Sequence, residues 1–208
     1  MYQAHPNHEL TRLFRDRPFQ GAVPENAKFI FVGLDANYAG NLENTSSFQD
    51  VLDYHLDGVA FWQKHLVHHP FLLPSYRGDG RRYHINFSRI GFSPKNAAEV
   101  SFIELLHLPT VGRNKLDVSD LDYNHLQFIN SLVTRGEPRH IFLSAGVIRL
   151  MHSTELFQWL PKAQQKQVLP KLTAIKETKI YQHLHLSNYG KFQTQLNEEA
   201  AAIRQLIA

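Results

Sequence analysis

The 208-residue chain contains no cysteine. That excludes disulfide frameworks, zinc–thiolate sites, iron–sulfur clusters and thiol catalysis, and it fits a reducing compartment, so the expected location is cytoplasmic. Long apolar runs are also missing. The longest, such as Phe29–Leu34, have strand length, well short of the roughly 18 residues a membrane span needs. The opening residues, Met1-Tyr2-Gln3-Ala4-His5, lack the basic-then-apolar pattern of a secretory signal. The sequence shows no internal repeat, low-complexity tract or block of like charge. Global disorder is excluded by 14 Phe, 8 Tyr and a 43% hydrophobic content.

What remains is an ordinary globular composition with a slight basic excess. Lys and Arg number 22 against 19 Asp and Glu, a formal net charge of +3, and there are 13 histidines. This leans weakly toward an anionic partner. Four stretches read as buried strands: residues 28–34 (KFIFVGL), 100–106 (VSFIELL), 140–145 (HIFLSA) and 179–186 (KIYQHLHL). The first three are apolar almost throughout, as parallel strands covered on both faces tend to be. Helical spacing of apolar residues marks 7–14, 48–65, 119–134, 146–150, 161–172 and 193–206. Strands separated by helix-sized connectors predict one α/β domain, a three-layer αβα sandwich with a central, mostly parallel four-stranded sheet, monomeric by expectation.

In such sheets the ligand crevice lies beyond the carboxyl ends of the strands. That places residues 33–41, 107–114, 144–146 and 183–189 around one candidate crevice, together with the long connection 35–99 and its polar turn Tyr76-Arg77-Gly78-Asp79-Gly80-Arg81-Arg82. The segment after the first strand reads Gly33-Leu34-Asp35-Ala36-Asn37-Tyr38. It carries neither the dinucleotide Gly-x-Gly-x-x-Gly nor the P-loop Gly-Lys-Ser/Thr signature. Asp35 at a strand exit suits a general base, an electrostatic stabiliser or a turn cap. The last strand ends in His183-Leu184-His185-Leu186-Ser187-Asn188-Tyr189-Gly190-Lys191. Its two histidines suit a polar crevice edge; no third ligand at compatible spacing accompanies them, so no metal and no other cofactor is expected.

These two motifs, their order and the strand count resemble the uracil-DNA glycosylase superfamily. The first motif of its best-known branch reads Gly-Gln-Asp-Pro-Tyr-His; here Gly33 and Asp35 match at the same spacing, Ala36 replaces the proline, and the tyrosine comes one place later as Tyr38. In the closing His-Pro-Ser-Pro-Leu-Ser motif His183 matches the histidine, and Tyr189, Lys191 and Phe192 resemble the tail, whereas both prolines and the serine are missing. The resemblance spans about residues 28–192. It implies a base flipped out of DNA into a pocket and cleavage of its N-glycosidic bond. Asp35 would stabilise the cationic sugar and orient a water, and His183 would donate to the departing base oxygen. Phe71 is the first candidate to stack on the base, ahead of Tyr76 and Phe87.

Members that read uracil commonly carry an Asn at the end of strand two. Here Glu104 or His107 occupies that neighbourhood. A carboxylate only accepts hydrogen bonds, which suits an exocyclic amine or a ring N–H rather than both uracil groups. The resemblance therefore implies a glycosylase for uracil or another modified base. DNA is the expected partner, held through sequence-independent phosphate contacts, and no membrane is expected. Arg81, Arg82, Tyr189 and Lys191 are the chief candidates for those contacts, with Arg77, Arg89, Lys95, Arg113 and Lys115 nearby. An inactive nucleic-acid or nucleotide-binding module of the same fold and a small-molecule hydrolase stand as alternatives.

Overall fold

A computed structural model describes residues 2–112, 115–164 and 167–207. Strand β1 spans Phe19–Gly21, β2 Phe29–Gly33, β3 Ala36–Tyr38, β4 Val100–Glu104, β5 Pro109–Val111, β6 His140–Ser144, β7 Lys171–Ile175 and β8 Thr178–His183. The helices are α1 His8–Asp16, α2 Phe48–Leu56, α3 Gly58–His65, α4 Arg81–Ser88, α5 Tyr123–Thr134, α6 Ala145–His152 and α7 Gln193–Arg204. Among the described residues the main sheet has six strands in the order β1-β4-β2-β6-β8-β7. The four central strands are parallel, and β1 and β7 flank them antiparallel. A separate parallel pair, β3 with β5, follows directly beyond β2 and β4.

The pleat explains the layering. Along β2 the side chains alternate Phe29, Ile30, Phe31, Val32, and the neighbouring strands keep the same phase. The aliphatic face, with Ile30, Val32, Ile103, Ile141, Leu143 and Ile180, packs on α5 and α6 through Ile129, Leu132, Val147 and Met151. The aromatic face, with Phe29, Phe31, Phe102, Phe142 and Tyr181, packs on Trp62 of α3, Phe87 of α4, and Leu196 and Ile203 of α7. Both faces are covered, so the strands carry no polar alternation.

The four-stranded expectation is corrected to six. Strand β1 is only three residues long, and β7 begins at the end of 161–172, which the spacing predicts as helix. Pro161 and Pro170 bracket that stretch, and Gln182 of β8 holds Gln164 through a pair of backbone bonds, Gln164 N donating to its Oε1 and its Nε2 donating to Gln164 O, both at 2.8 Å. Lys171–Ile175 then pairs back on β8 across a two-residue turn with Lys176 in the left-handed region at φ 52°. The predicted helix 48–65 is two helices, because Asp57 leaves helical geometry and its Oδ1 caps α3 at Ala60 N, 2.9 Å away. The predicted helix from 119 begins only at Tyr123, where Asp122 caps it through His125 N. No helix among the described residues is long and apolar enough to cross a membrane.

Candidate functional site

A cleft of about 630 Å³ opens beyond the carboxyl ends of β2 and β4. Gly33 and Glu104, the last residues of those strands, sit in register at its floor. The approach is so close that a Cβ on Gly33 would lie 1.9 Å from Glu104 Oε2, so the carboxyl group occupies the space of a side chain. Burial pushes the Glu104 carboxyl well above the usual carboxylate range, and the negative charge of Asp35 pushes it further. Glu104 lines the cleft with its carboxyl group raised in this way.

Asp35 leaves the sheet between β2 and β3 and also lines the cleft. Its Oδ2 accepts from the Thr110 hydroxyl of β5 at 2.5 Å. That hydroxyl accepts in turn from Asn37 Nδ2 at 3.0 Å, and the same amide reaches Gly112 O at 2.5 Å. The β3–β5 pairing brings Asn37 opposite Thr110, so the small sheet is what orients Asp35. Behind it, Tyr38 accepts from Gln20 Nε2 at 2.7 Å, and burial raises its phenol above the ordinary range. Phe71 forms one wall, stacked 4.1 Å from Tyr76 and edge-on to Tyr38 at 5.8 Å.

The opposite wall is α4. Arg81 and Arg82 stand exposed at its first turn, on the rim, with Tyr83 and His84 further in. The Arg82 guanidinium lies 4.1 Å over the ring of Tyr189, itself 65% exposed. Asn86 of α4 holds that loop by donating to Leu186 O at 2.6 Å and Asn188 O at 3.1 Å.

The cleft thus gathers Gly33, Asp35, Tyr38, Phe71, Glu104, Arg81 and Arg82. His107, Tyr189, Lys191 and His183 are not among its lining. His107 is half-buried beside His125, 5.7 Å between ring centres. Tyr189 and Lys191 are exposed outside the lining, Lys191 lying over Phe192. His183 is 5% exposed, edge-on to Phe31 at 6.0 Å, and burial drives its imidazole down to about 4. It is not among the residues that line the cleft. Strand β8 ends at His183 because Glu199 of α7 captures the Leu184 N–H at 2.8 Å and turns the chain away from the sheet. His185, two residues on, reaches the cleft instead. Its Nδ1 accepts from Ser187 N at 3.3 Å, which leaves the proton of the neutral ring on Nε2. Arg113 lies outside the described residues.

Sequence reasoning also missed Thr110, Gln20, Tyr83 and a stacked pair, His69 on His84, with ring centres 3.6 Å apart. His68 Nε2 lies 3.1 Å from His84 Nδ1. Burial drives all three imidazoles down, His84 to about 3. The His68-His69-Pro70-Phe71 run was the available signal. Among the described residues no three His, Asp or Glu side chains are grouped to hold a metal ion. No protein-family model matches the chain, and none of the curated proteins matches it.

Proposed function

We propose that the protein hydrolyses the N-glycosidic bond of a uracil or other modified base turned out of DNA into this cleft, and that it acts in the cytoplasm on its nucleic-acid substrate. The observation that carries the reading is the pair of carboxyl groups at one cleft: Asp35, held by the Thr110 hydroxyl, and Glu104, whose carboxyl is pushed upward by burial and by the charge of Asp35. A carboxyl group raised by burial beside a second carboxyl group suits an acid and a base. The cleft volume of about 630 Å³ falls in the range of small-ligand pockets, roughly 300–1,000 Å³.

In this reading the bond from C1′ of the sugar to the base nitrogen breaks, its electron pair leaves with the base, and a water oxygen bonds to C1′. Asp35 stabilises the oxocarbenium-like sugar and receives the proton of the water. The Glu104 O–H and the His185 Nε2–H donate toward the base, where negative charge accumulates. Arg81 and Arg82 contact phosphates at the rim and carry no sequence information. The resemblance to uracil-DNA glycosylases points the same way, through Gly33 and Asp35 at the family's spacing.

The test is base release from duplexes carrying uracil, hypoxanthine or xanthine, scored as alkali-labile abasic sites. The native protein is expected to release at least one base, and Asp35→Asn to lose about 100-fold or more of the rate. Equal rates for the two proteins would remove Asp35 from the reaction. Release of a base from free nucleosides but from no duplex would replace the reading with a small-molecule hydrolase.

A further inference from the structure

A second cavity, of about 580 Å³, opens at the opposite edge of the sheet from the cleft, where β2, β6 and β8 begin. We propose that it binds an organic phosphomonoester, with the phosphate on the cations at these strand starts and the organic body on Leu206 and Ile207 of the turn after α7. About 13 Å of β2 separates Phe29 at this end from Gly33 at the cleft floor. The site is therefore separate from the cleft and does not rest on the reaction proposed there.

The strand register builds the site. Phe29, His140 and Lys179 are paired across the three parallel strands. Backbone bonds fix the residues just before them, His140 N donating to Lys28 O at 2.7 Å and Lys179 N to Arg139 O at 2.8 Å. Each strand thus starts beside a cation, Lys28, Arg139 or Lys179, and Lys176 joins them from the turn between β7 and β8. Neighbouring strands lie about 4.8 Å apart. Lys28 and Lys179, on either side of β6, therefore reach a common point over its start. A ligand bridging them needs oxygens on more than one side, which a tetrahedral phosphoryl group has and a planar carboxylate lacks.

The charge balance favours an anion. Four cationic side chains face two carboxylates in the lining, Glu99 and Glu177. Lys28 is held by Glu99 at 2.5 Å, but the lysine is exposed, and a surface pair of this kind is weak enough to give way to a dianion. Lys176 Nζ reaches a neutral carbonyl, Arg135 O, at 3.4 Å. The exposed Lys179 ammonium forms no ion pair among the described residues. Burial first, and then the charge of Lys179, presses the His140 imidazole down, so the positive field reaches the ring. Beneath it the Arg139 guanidinium is 4% exposed and locked by donating to Pro24 O and Glu25 O, each at 3.1 Å. His140 is clamped between Phe29 and Tyr181, its ring centre 5.3 and 5.7 Å from theirs. Arg139 Nε and His140 Nδ1 are buried with no partner among the described residues. The first is a donor in any state and the second when it carries the ring proton. Buried donors without partners are unusual, and an oxyanion is the ligand that satisfies them. The volume exceeds what a phosphate fills, and partly exposed Leu206 and Ile207 offer an apolar surface to the remainder of the ligand.

The experiment is a titration of the full chain, at low ionic strength, with phenyl phosphate, inorganic phosphate and phenol, read by calorimetry and by two-dimensional amide NMR. Phenyl phosphate should bind tightest, inorganic phosphate about tenfold more weakly for want of the ring, and phenol not at all. The amides of residues 28, 29, 139, 140 and 179 should shift, and those of Gly33, Asp35 and Glu104 should not. This locates the ligand without any variant. Lys179→Glu should weaken phenyl phosphate about tenfold, while Lys162→Glu, an equal charge change at an exposed lysine outside both cavities, should leave it unchanged. Shifts confined to the cleft residues, equal affinity for phenyl phosphate and phenol, equal affinity for phenyl and inorganic phosphate, or equal losses in the two lysine variants would overturn the inference. Binding of oligothymidylate that depends on Lys179, in a chain that does not bind phenyl phosphate, would overturn it as well and make the strand starts a nucleic-acid surface. Base release reports on the cleft alone, so the two readings fail separately.

Discussion

Gly33 and Glu104 end neighbouring parallel strands in register, and the glutamate carboxyl fills the place of the side chain that Gly33 lacks, 1.9 Å from an ideal Cβ. The glycine is thus a shape requirement of the cleft floor. Gly33→Ala would push the carboxyl group out of position without straining the backbone, which is extended there. The expected outcome is a loss of uracil binding of tenfold or more, with about 1–3 kcal/mol of overpacking cost. Titration calorimetry and thermal melting of the variant measure both; unchanged binding would show that Glu104 has room to move.

Thr110 should act on Asp35 and not on the substrate. Thr110→Val keeps the shape and removes the donor to Asp35 Oδ2. The rate of base release is expected to fall about tenfold with little change in KM, and Thr110→Ser should restore most of it, since one hydrogen bond to a charged group is worth about 1.5–3 kcal/mol. A KM effect with kcat intact would place Thr110 in binding instead.

Stability should fall in mild acid. His55, His68, His69 and His183 are buried and held neutral by desolvation, His55 and His183 with values lowered to about 4. The unfolded chain binds protons at these sites below about pH 6.5, where the folded protein does not. Stability is therefore fully present above that pH and is lost as pH falls toward 4, by about 1.4 kcal/mol per pH unit for each such histidine. Thermal melting at a series of pH values checks this. A melting temperature flat between about pH 7 and about pH 4.5 would contradict it.

DNA binding should weaken as salt rises, by counterion release. Arg82→Ala removes a rim cation and its stack on Tyr189, so the salt slope should drop by about one and all sequences should lose affinity alike. Fluorescence anisotropy at several salt concentrations measures the slope. Salt-independent binding would exclude phosphate contacts as its source.

Much of the fold was legible in the residues. The runs 28–34, 100–106 and 140–145 lack polar alternation because both faces of the sheet are covered, and they are the central strands β2, β4 and β6. The edge strands were not legible. Phe19–Gly21 is three residues long, and Lys171–Ile175 is fixed by pairing with β8 and by the Gln164–Gln182 bonds, which act between segments distant in sequence. At the site, Asp35 was legible as a strand-exit residue and Glu104 through the resemblance, and both line the cleft. That His185 and not His183 lines the cleft was not legible, because the end of β8 is set by Glu199, on a helix that follows it. The upward push on the Glu104 carboxyl was not legible either, since it depends on burial and on Asp35 across the strand boundary. Thr110 was missed because only the β3–β5 pairing brings it to Asp35.

The most direct test of the central claim is mass spectrometry of an intact oligonucleotide after incubation with the protein. With a uracil- or hypoxanthine-containing duplex, the native protein is predicted to yield the abasic strand and one equivalent of free base, with the phosphodiester backbone uncut. Asp35→Asn should leave the strand unchanged while still binding it. A native protein that binds every duplex of the panel and leaves each at its original mass would contradict the account and identify the cleft as a binding site without hydrolysis.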